Sequence, residues 1–251
     1  MAAGRTARGC RVSWWADEWA ALDFETTGLD PESDRIVSGA VVWTSRGVPV
    51  ERRTWLADAG RQPIPADATA VHGIHERHAH RYGRPVGVVA EMIAAALAEA
   101  AIDGLPIVVA NAPYDLTMHD RELARHFSFP LDTWAGSKPI HVLDPLLLDW
   151  ALDQRREGRR RLVDLCEYYE VQHAGPHCAD ADAAAAAAVT YRIVGEYPGL
   201  RQMSLAQVHE AQVGWAVERA EARQAHKRRN GDPAAVVDGS WPLIPRQGVA
   251  S

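Results

Sequence analysis

The chain has 251 residues, 47% hydrophobic and 24% charged, which suits a globular protein of one domain with an appendage or of two small domains. Its net charge of −6 argues against broad coating of a nucleic-acid duplex, but not against a grip on one strand end through metal ions, which bring their own positive charge. The sequence has no apolar run of membrane-spanning length, no apolar signal-peptide core at its start and no C-x-x-C pair among its three cysteines. We therefore expect a cytoplasmic protein without a membrane partner.

The predicted elements begin with three strands that follow a polar lead-in over residues 1–17. The strands cover 19–25, 35–44 and 51–57, and a turn at 46–49 joins the last two. Three consecutive strands with short connections favour an antiparallel meander. After them, helical segments alternate with short strands. The predicted helices cover 66–73, 86–101, 114–126, 145–152, 162–169 and 178–196, and the predicted strands 106–110 and 140–143.

This order predicts an α/β domain over residues 18–199, in which helices flank a mixed sheet of antiparallel and parallel strands. Pro198-Gly199 ends the domain, and a long helix over 204–229 with a tail forms a C-terminal segment, residues 200–251. The sequence leaves three roles open for this segment: a cap on the domain, a dimer contact or a docking site for another protein.

Asp23 and Glu25 are the most informative residues of the first strand. Side chains at positions i and i+2 of a strand share one face, so the two carboxylates can converge on one point. Two like charges are costly to bury side by side unless a cation offsets them, and a divalent metal with oxygen ligands is the obvious candidate. Alone, this D-x-E pattern is common, and its weight depends on acids elsewhere in the chain.

Two later segments supply such acids. Asp115 follows a short apolar strand and lies at the start of a predicted helix, where an aspartate can also serve simply as a cap. Asp182 lies in the first turn of an alanine-rich helix, shortly after His177. Asp180 is two positions before Asp182 and points to a different helix face, so only one of the two should reach the site.

The order and spacing of these residues resemble the DEDD-type 3′–5′ exonucleases, in the branch of the DNA polymerase III epsilon subunit. That family has D-x-E in its first motif, N-x-x-[FY]-D in its second and H-x-x-x-x-D in its third. The matching residues are Asp23 and Glu25, Asn111 to Asp115, and His177 with Asp182. The family spacing selects Asp182 over Asp180, and the histidine indicates the histidine (DEDDh) branch. Further similar segments lie at 68–74, 142–145 and 161–166, so the resemblance covers roughly residues 19–197.

The resemblance implies a ribonuclease H-like fold and a metal-dependent 3′–5′ exonuclease that releases nucleoside 5′-monophosphates from single-stranded DNA. Two Mg²⁺ or Mn²⁺ ions, roughly 3.5–4 Å apart as in other two-metal sites, would be held by Asp23, Glu25, Asp115 and Asp182. His177 would act as general base on the attacking water, a role that suits an imidazole near neutral pH. The implied substrate contacts are Thr26, Thr27, Gly28, Leu29, Asn111 and Tyr114, and the implied protein partner is a DNA polymerase.

Two other functions stay open from the sequence. One is an exoribonuclease of the same fold, similar to ribonuclease T or oligoribonuclease, because the fold does not decide between DNA and RNA. The other is a nucleic-acid-binding module without catalysis, which the five intact catalytic positions disfavour.

Three residue groups allow both a functional and a structural interpretation. The histidines at 72, 75, 78 and 80 do not have a standard zinc spacing, so we favour a structural His72 followed by solvated histidines. The arginines at 155, 156 and 159–161 form either a solvated loop or a phosphate-contacting patch. The tryptophans at 14, 15 and 19 could stack on bases, but packing is the more ordinary role.

Overall fold

The computed structural model describes residues 13–16, 18–127 and 138–246, so Cys10 lies outside the described residues. Within these ranges, six strands form one sheet: β1 (Glu18–Thr26), β2 (Ile36–Ser45), β3 (Val48–Asp58), β4 (Arg84–Pro85), β5 (Ile107–Val109) and β6 (Val142–Leu143). Nine helices accompany it in the same ranges: α1 (Ala66–His72), α2 (Glu76–Tyr82), α3 (Val86–Ile102), α4 (Ala112–His126), α5 (Pro145–Leu152), α6 (Leu162–Tyr168), α7 (Ala179–Glu196), α8 (Pro198–Gln202) and α9 (Leu205–Arg229).

The strands lie in the order β4-β3-β2-β1-β5-β6. β1, β2 and β3 form the predicted antiparallel meander, whereas β5 and β6 run parallel to β1. The predicted mixed sheet is therefore confirmed. Parallel strands end at the same edge of a sheet, so the residues that follow β1, β5 and β6 come together there.

Side-chain alternation along β1 divides the core into two layers. Leu22 and Phe24 face one layer, together with the buried sides of α3 and α4. Trp19 and Ala21 face the other layer, which α5, α6 and α7 cover. Trp14 stacks on Trp19 with ring centroids 6.1 Å apart, which confirms a packing role for these two rings.

The C-terminal segment caps the β6 edge within the described residues. α9 packs on α5 and β6. Its buried Gln212 accepts a hydrogen bond from Asp144 N at 2.8 Å and donates one to Val142 O at 2.9 Å. Beyond α9, Trp241 is buried in the layer that holds α3 and α4.

Three local predictions differ from the structure. The turn between β2 and β3 is shorter than predicted, because Arg46 and Gly47 both have positive φ, the geometry of a two-residue hairpin. The histidine-rich segment forms α2, whose only buried residue is Ala79, so apolar spacing could not signal it. Pro198 begins α8 rather than breaking the chain, since a proline is tolerated in the first turn of a helix.

No helix in the described part of the chain combines the length and the apolar character needed to cross a membrane.

Candidate active site

Asp23 and Glu25 lie near the carboxyl end of β1, on the sheet face that α7 covers. Trp19 packs in the same layer, whereas Phe24, between the two acids, faces the opposite layer. The pairing of β1 with β2 shifts register between Glu25 and Thr26. Such a bulge re-aims the side chains at a strand end, and here it directly follows the two carboxylates.

Asp182 reaches the same point from the first turn of α7. Carboxylate oxygens of Asp23, Glu25 and Asp182 all lie within 4.8 Å of one another. Among the residues that the structure describes, this is the only group of three or more His, Cys, Asp or Glu side chains close enough to share a metal ion. Asp180 instead forms an ion pair of 2.6 Å with Arg52 of β3. The two aspartates of α7 therefore do not share the site.

Asp115 comes to the site from α4, which follows β5 at the same edge of the sheet. Its Oδ1 accepts a hydrogen bond of 3.1 Å from the backbone N–H of Phe24, which ties α4 to β1 between the two acids. Asp115 lies outside the group of three, but among the neighbouring charges it has the strongest effect on Asp23.

The pKa values show that the site lacks positive charge. Burial raises the pKa of Asp23 well above its usual range, and repulsion from Asp115, Asp182 and Glu25 adds to the effect. Burial and repulsion from Asp182 raise the pKa of Glu25 to about 7. Burial also raises the pKa of Asp115, against the opposing hydrogen bond from Phe24. The largest influences on these three carboxyl groups in the described part of the chain include no arginine or lysine. Such a set of oxygen donors fits a hard divalent cation.

His177 lies in the loop before α7. Its backbone N–H donates a hydrogen bond of 2.9 Å to Asp182 Oδ2, and its imidazole is exposed. Its φ of 66° is in the left-handed region, which is uncommon for a residue with a side chain and clusters at functional sites. The loop thus places His177 beside the acids while leaving its ring accessible.

Thr26 and Tyr114 connect the end of β1 to α4. The Tyr114 hydroxyl donates to the Gly28 carbonyl at 2.6 Å and lies 2.5 Å from the Thr26 hydroxyl, which also hydrogen-bonds to Gly28. Burial raises the pKa of Tyr114 to about 12, so its hydroxyl stays protonated at neutral pH. These contacts fix the loop that follows β1.

The same loop contains three of the predicted substrate contacts. Thr27 is buried and donates to Asp34 Oδ1 at 2.8 Å, so its hydroxyl is used inside the loop. A Cβ added at Gly28 would lie 2.5 Å from Asp34 Oδ2, so a larger residue there would displace the carboxylate to which Thr27 bonds. Leu29 is 88% exposed. The loop therefore presents an apolar side chain to solvent next to the acids.

Asn111 precedes α4 in the left-handed conformation, with φ 60° and ψ 50°. Its backbone N–H donates to Asp144 Oδ1 at 3.2 Å, and its side chain is exposed. Asp144 also accepts from Ala112 N at 3.1 Å and caps the first turn of α5. Asp144 therefore joins the loops that follow β5 and β6 at the active-site edge.

A family model described as "Exonuclease" matches residues 20–190, a range that contains all four acids and His177. The chain belongs to this exonuclease family. A sequence comparison with curated proteins gives no significant match.

Solved structures share the fold of this exonuclease. An exonuclease I structure matches with a TM-score of 0.64 and 21% identity, covering 74% of this chain and 42% of its own. The exonuclease I of Methylocaldum szegediense gives 0.62 and 22%, with coverages of 74% and 42%. E. coli exonuclease I in complex with a dT13 oligonucleotide gives 0.63 and 20%, with coverages of 73% and 42%. The chain described here thus spans about two fifths of the length of these exonuclease I chains.

The arginine cluster of the exonuclease has mainly structural contacts. Arg156 and Arg160 both form ion pairs with Asp149, which is fully buried on α5. Arg161 pairs with Asp164 at 2.8 Å in the first turn of α6. Ion pairs of Arg156, Arg160 and Arg161 therefore hold the loop between α5 and α6. These contacts account for the three arginines without a bound phosphate.

The sequence interpretation missed one histidine beside the acids. His72, predicted to be structural, accepts a hydrogen bond of 3.0 Å from Ile74 N through its Nδ1. His173 was not singled out, and its Nε2 hydrogen-bonds to Asp182 Oδ1. No sequence signal connects His173 to Asp182, because its place in an irregular loop does not determine where its ring points. The histidines at 75, 78 and 80 are exposed, as predicted.

Proposed function

We propose that this exonuclease hydrolyses phosphodiester bonds from the 3′ end of single-stranded DNA and releases nucleoside 5′-monophosphates. The carrying observation is that Asp23, Glu25 and Asp182 converge, with Asp115 beside them and the His177 loop bonded to Asp182. DNA as substrate is supported by the fold relatives, since E. coli exonuclease I has been crystallised with dT13 and dA16 oligonucleotides.

The proposed cofactors are two Mg²⁺ or Mn²⁺ ions, with Asp23, Glu25, Asp115 and Asp182 as the residues that hold them. When bound, these ions supply Lewis acidity to the attacking water and to the leaving 3′ oxygen. The choice of hard cations rests on the all-carboxylate donor set. One E. coli exonuclease I structure is described as a zinc ion bound form, so zinc is a comparison ion for the experiments.

The protein residues have separate proposed tasks. His177 accepts the proton of the attacking water, since its exposed ring belongs to the loop that contacts Asp182. The loop fixed by Thr26 and Tyr114 forms the seat of the terminal nucleotide, with the backbone around Thr27 and Gly28 as its floor. Leu29 packs against the terminal base, and Asn111 contacts the strand from the start of α4.

Two proposals concern the setting of the enzyme. The family resemblance predicts a DNA polymerase as partner, which co-purification from the source cell tests. A complex of exonuclease I with a C-terminal SSB segment makes that peptide a second binding partner to test. A cytoplasmic location is supported by Cys166 and Cys178, both of which are free thiols.

The direct test is digestion of single-stranded DNA and RNA oligomers of one sequence, with Mg²⁺ or with EDTA. A 5′ label should give a ladder that shortens from the 3′ end, and a 3′ label should give a mononucleotide at once. EDTA should abolish both products. Activity that survives EDTA, or a 3′-labelled substrate that loses its label only late, would reject the proposal. Faster digestion of RNA would assign the ribonuclease alternative.

A further inference from the structure

The third motif contains a second histidine in contact with the acids. His173 Nε2 hydrogen-bonds to Oδ1 of Asp182, and the backbone N–H of His177 donates to Oδ2 of the same carboxylate at 2.9 Å. Both carboxylate oxygens of Asp182 therefore bond to the same loop, through two histidines that are four residues apart. No other acid of the site has a side-chain partner of this kind in the described residues.

The His173 ring is enclosed, unlike the ring of His177. Its side chain is 8% exposed, and its Nδ1 is buried without a hydrogen-bond partner among the described residues. A buried polar atom without a partner is unfavourable for the folded state. Only Nε2 of the ring has a partner among the described residues, and that partner is Asp182. Stability alone does not favour an imidazole at this position.

The loop that carries His173 contains several residues in the left-handed conformation and is anchored at both ends. Three of its residues, Glu170, Gly175 and His177, have positive φ values of 53°, 95° and 66°. On one side, Val171 N bonds to Cys166 O at 2.8 Å, and on the other, α7 is packed against α6 through buried residues. His173 is thus anchored to the frame that carries Asp182.

From these contacts we infer that His173 is a positioning residue, which orients the Asp182 carboxylate so that it meets a divalent cation together with Asp23 and Glu25. The inference rests on the proposed metal-dependent function. Ligating carboxylates are commonly hydrogen-bonded by neighbouring side chains, and loss of such a partner typically costs 10–100-fold in metal affinity or activity. His173 and His177 then divide the work, with His173 holding a ligand and His177 moving a proton.

A matched pair of substitutions isolates the hydrogen bond. His173→Gln places an amide N–H near the position of Nε2, whereas His173→Asn places it near the position of Nδ1. Both variants keep a polar side chain. Mn²⁺ binding is measured on the DNA-free protein by electron paramagnetic resonance, and kcat and KM are measured over a Mn²⁺ series. His177→Ala and the exposed His78→Ala are the comparison variants.

We expect His173→Asn to raise the dissociation constant for Mn²⁺ about 10–100-fold, with kcat recovering at saturating Mn²⁺ and KM for DNA unchanged. His173→Gln should bind Mn²⁺ much more tightly than His173→Asn. His177→Ala and His78→Ala should bind Mn²⁺ as the wild type does. Thermal unfolding in EDTA checks that both His173 variants are folded. If His173→Asn is unfolded, Mn²⁺ binding by His173→Gln is still compared with that of the wild type.

Unchanged or tighter Mn²⁺ binding in His173→Asn overturns the inference, because His173 would then be a bystander or a competitor of the cation. A loss of kcat that saturating Mn²⁺ does not relieve also overturns it. If the wild type binds Mn²⁺ and His173→Asn weakens that binding, but no oligomer is digested, the inference about Asp182 holds and the proposed function fails.

Discussion

Asp149 is a fully buried carboxylate and Asp23 a partly buried one, and the fold surrounds them with opposite kinds of charge. Asp149 is fully buried, pairs with Arg156 at 2.7 Å and with Arg160, and accepts a hydrogen bond from Tyr169 at 3.0 Å. Asp23 faces other carboxylates, and burial together with their repulsion raises its pKa. Arginine side chains therefore neutralise the buried carboxylate of Asp149, whereas the main neighbours of Asp23 are other carboxylates. A bound cation would supply the positive charge that Asp23 does not receive from arginine.

The largest expected effect concerns the rate at the acidic site. His177→Ala should lower kcat by roughly 10²–10⁴-fold, the usual contribution of a general base. Its thermal unfolding should match the wild type, because the imidazole is exposed. Steady-state kinetics at saturating Mg²⁺ measures the effect, and a wild-type kcat would remove His177 from the mechanism.

The neutralised acid should control stability. Asp149→Asn leaves Arg156 and Arg160 without their shared carboxylate, so we expect a loss of roughly 3–5 kcal/mol in the free energy of unfolding. Asp164→Asn is the comparison variant, because the ion pair of Asp164 with Arg161 is exposed and should contribute little to stability. Urea unfolding measures both. An equal loss of unfolding free energy in the two variants would contradict the expectation that the buried ion pairs contribute more to stability than the exposed one.

The uncompensated acids should make metal-induced stability depend on pH. The pKa of Glu25 rises from an ordinary 4.5 to about 7 in the folded protein. Between these values the unfolded chain releases its proton before the folded one, so this group lowers the stability of the metal-free protein as pH rises. Mg²⁺ binds the deprotonated site, so its stabilisation, about 2.7 kcal/mol at 100 times its dissociation constant, should be larger at pH 8 than at pH 5.5.

This third prediction is checked by thermal unfolding with Mg²⁺ and with EDTA at both pH values. Subtracting the stability in EDTA from the stability in Mg²⁺ at the same pH removes the contribution of titratable groups away from the site. An equal Mg²⁺ shift at pH 5.5 and pH 8 would contradict the pKa assignment.

The sequence predicted the acids better than it predicted their surroundings. Asp23 and Glu25 were placed on one face by strand alternation alone, and helix geometry separated Asp180 from Asp182. The third-motif loop was a different case, because four positions of irregular backbone do not determine where a ring points. Hence His173 could not be connected to Asp182 before the loop conformation was known.

Sequence patterns also predicted most helices and every strand of the described sheet except the two-residue β4, because their apolar residues recur at a regular spacing. α2 was missed since it buries only Ala79, and its exposed residues carry no such signal. The sequence could not choose among three roles for the C-terminal segment, because the attachment of this segment to the domain depends on single polar contacts. Gln212 binds the backbone on both sides of Leu143, and no periodicity predicts a contact over that separation.

The most direct test of the charge deficit is the stability of Asp23→Asn without metal. Removing one of the repelling carboxylates should raise the free energy of unfolding in EDTA at pH 8 by roughly 0.5–2 kcal/mol, while the stabilisation by Mg²⁺ disappears. Calorimetry of the wild type and the variant, each with and without Mg²⁺, measures both effects. A metal-free variant that is less stable than the wild type, as expected for Asp149→Asn, would show that Asp23 is already compensated by the protein and would contradict the central claim.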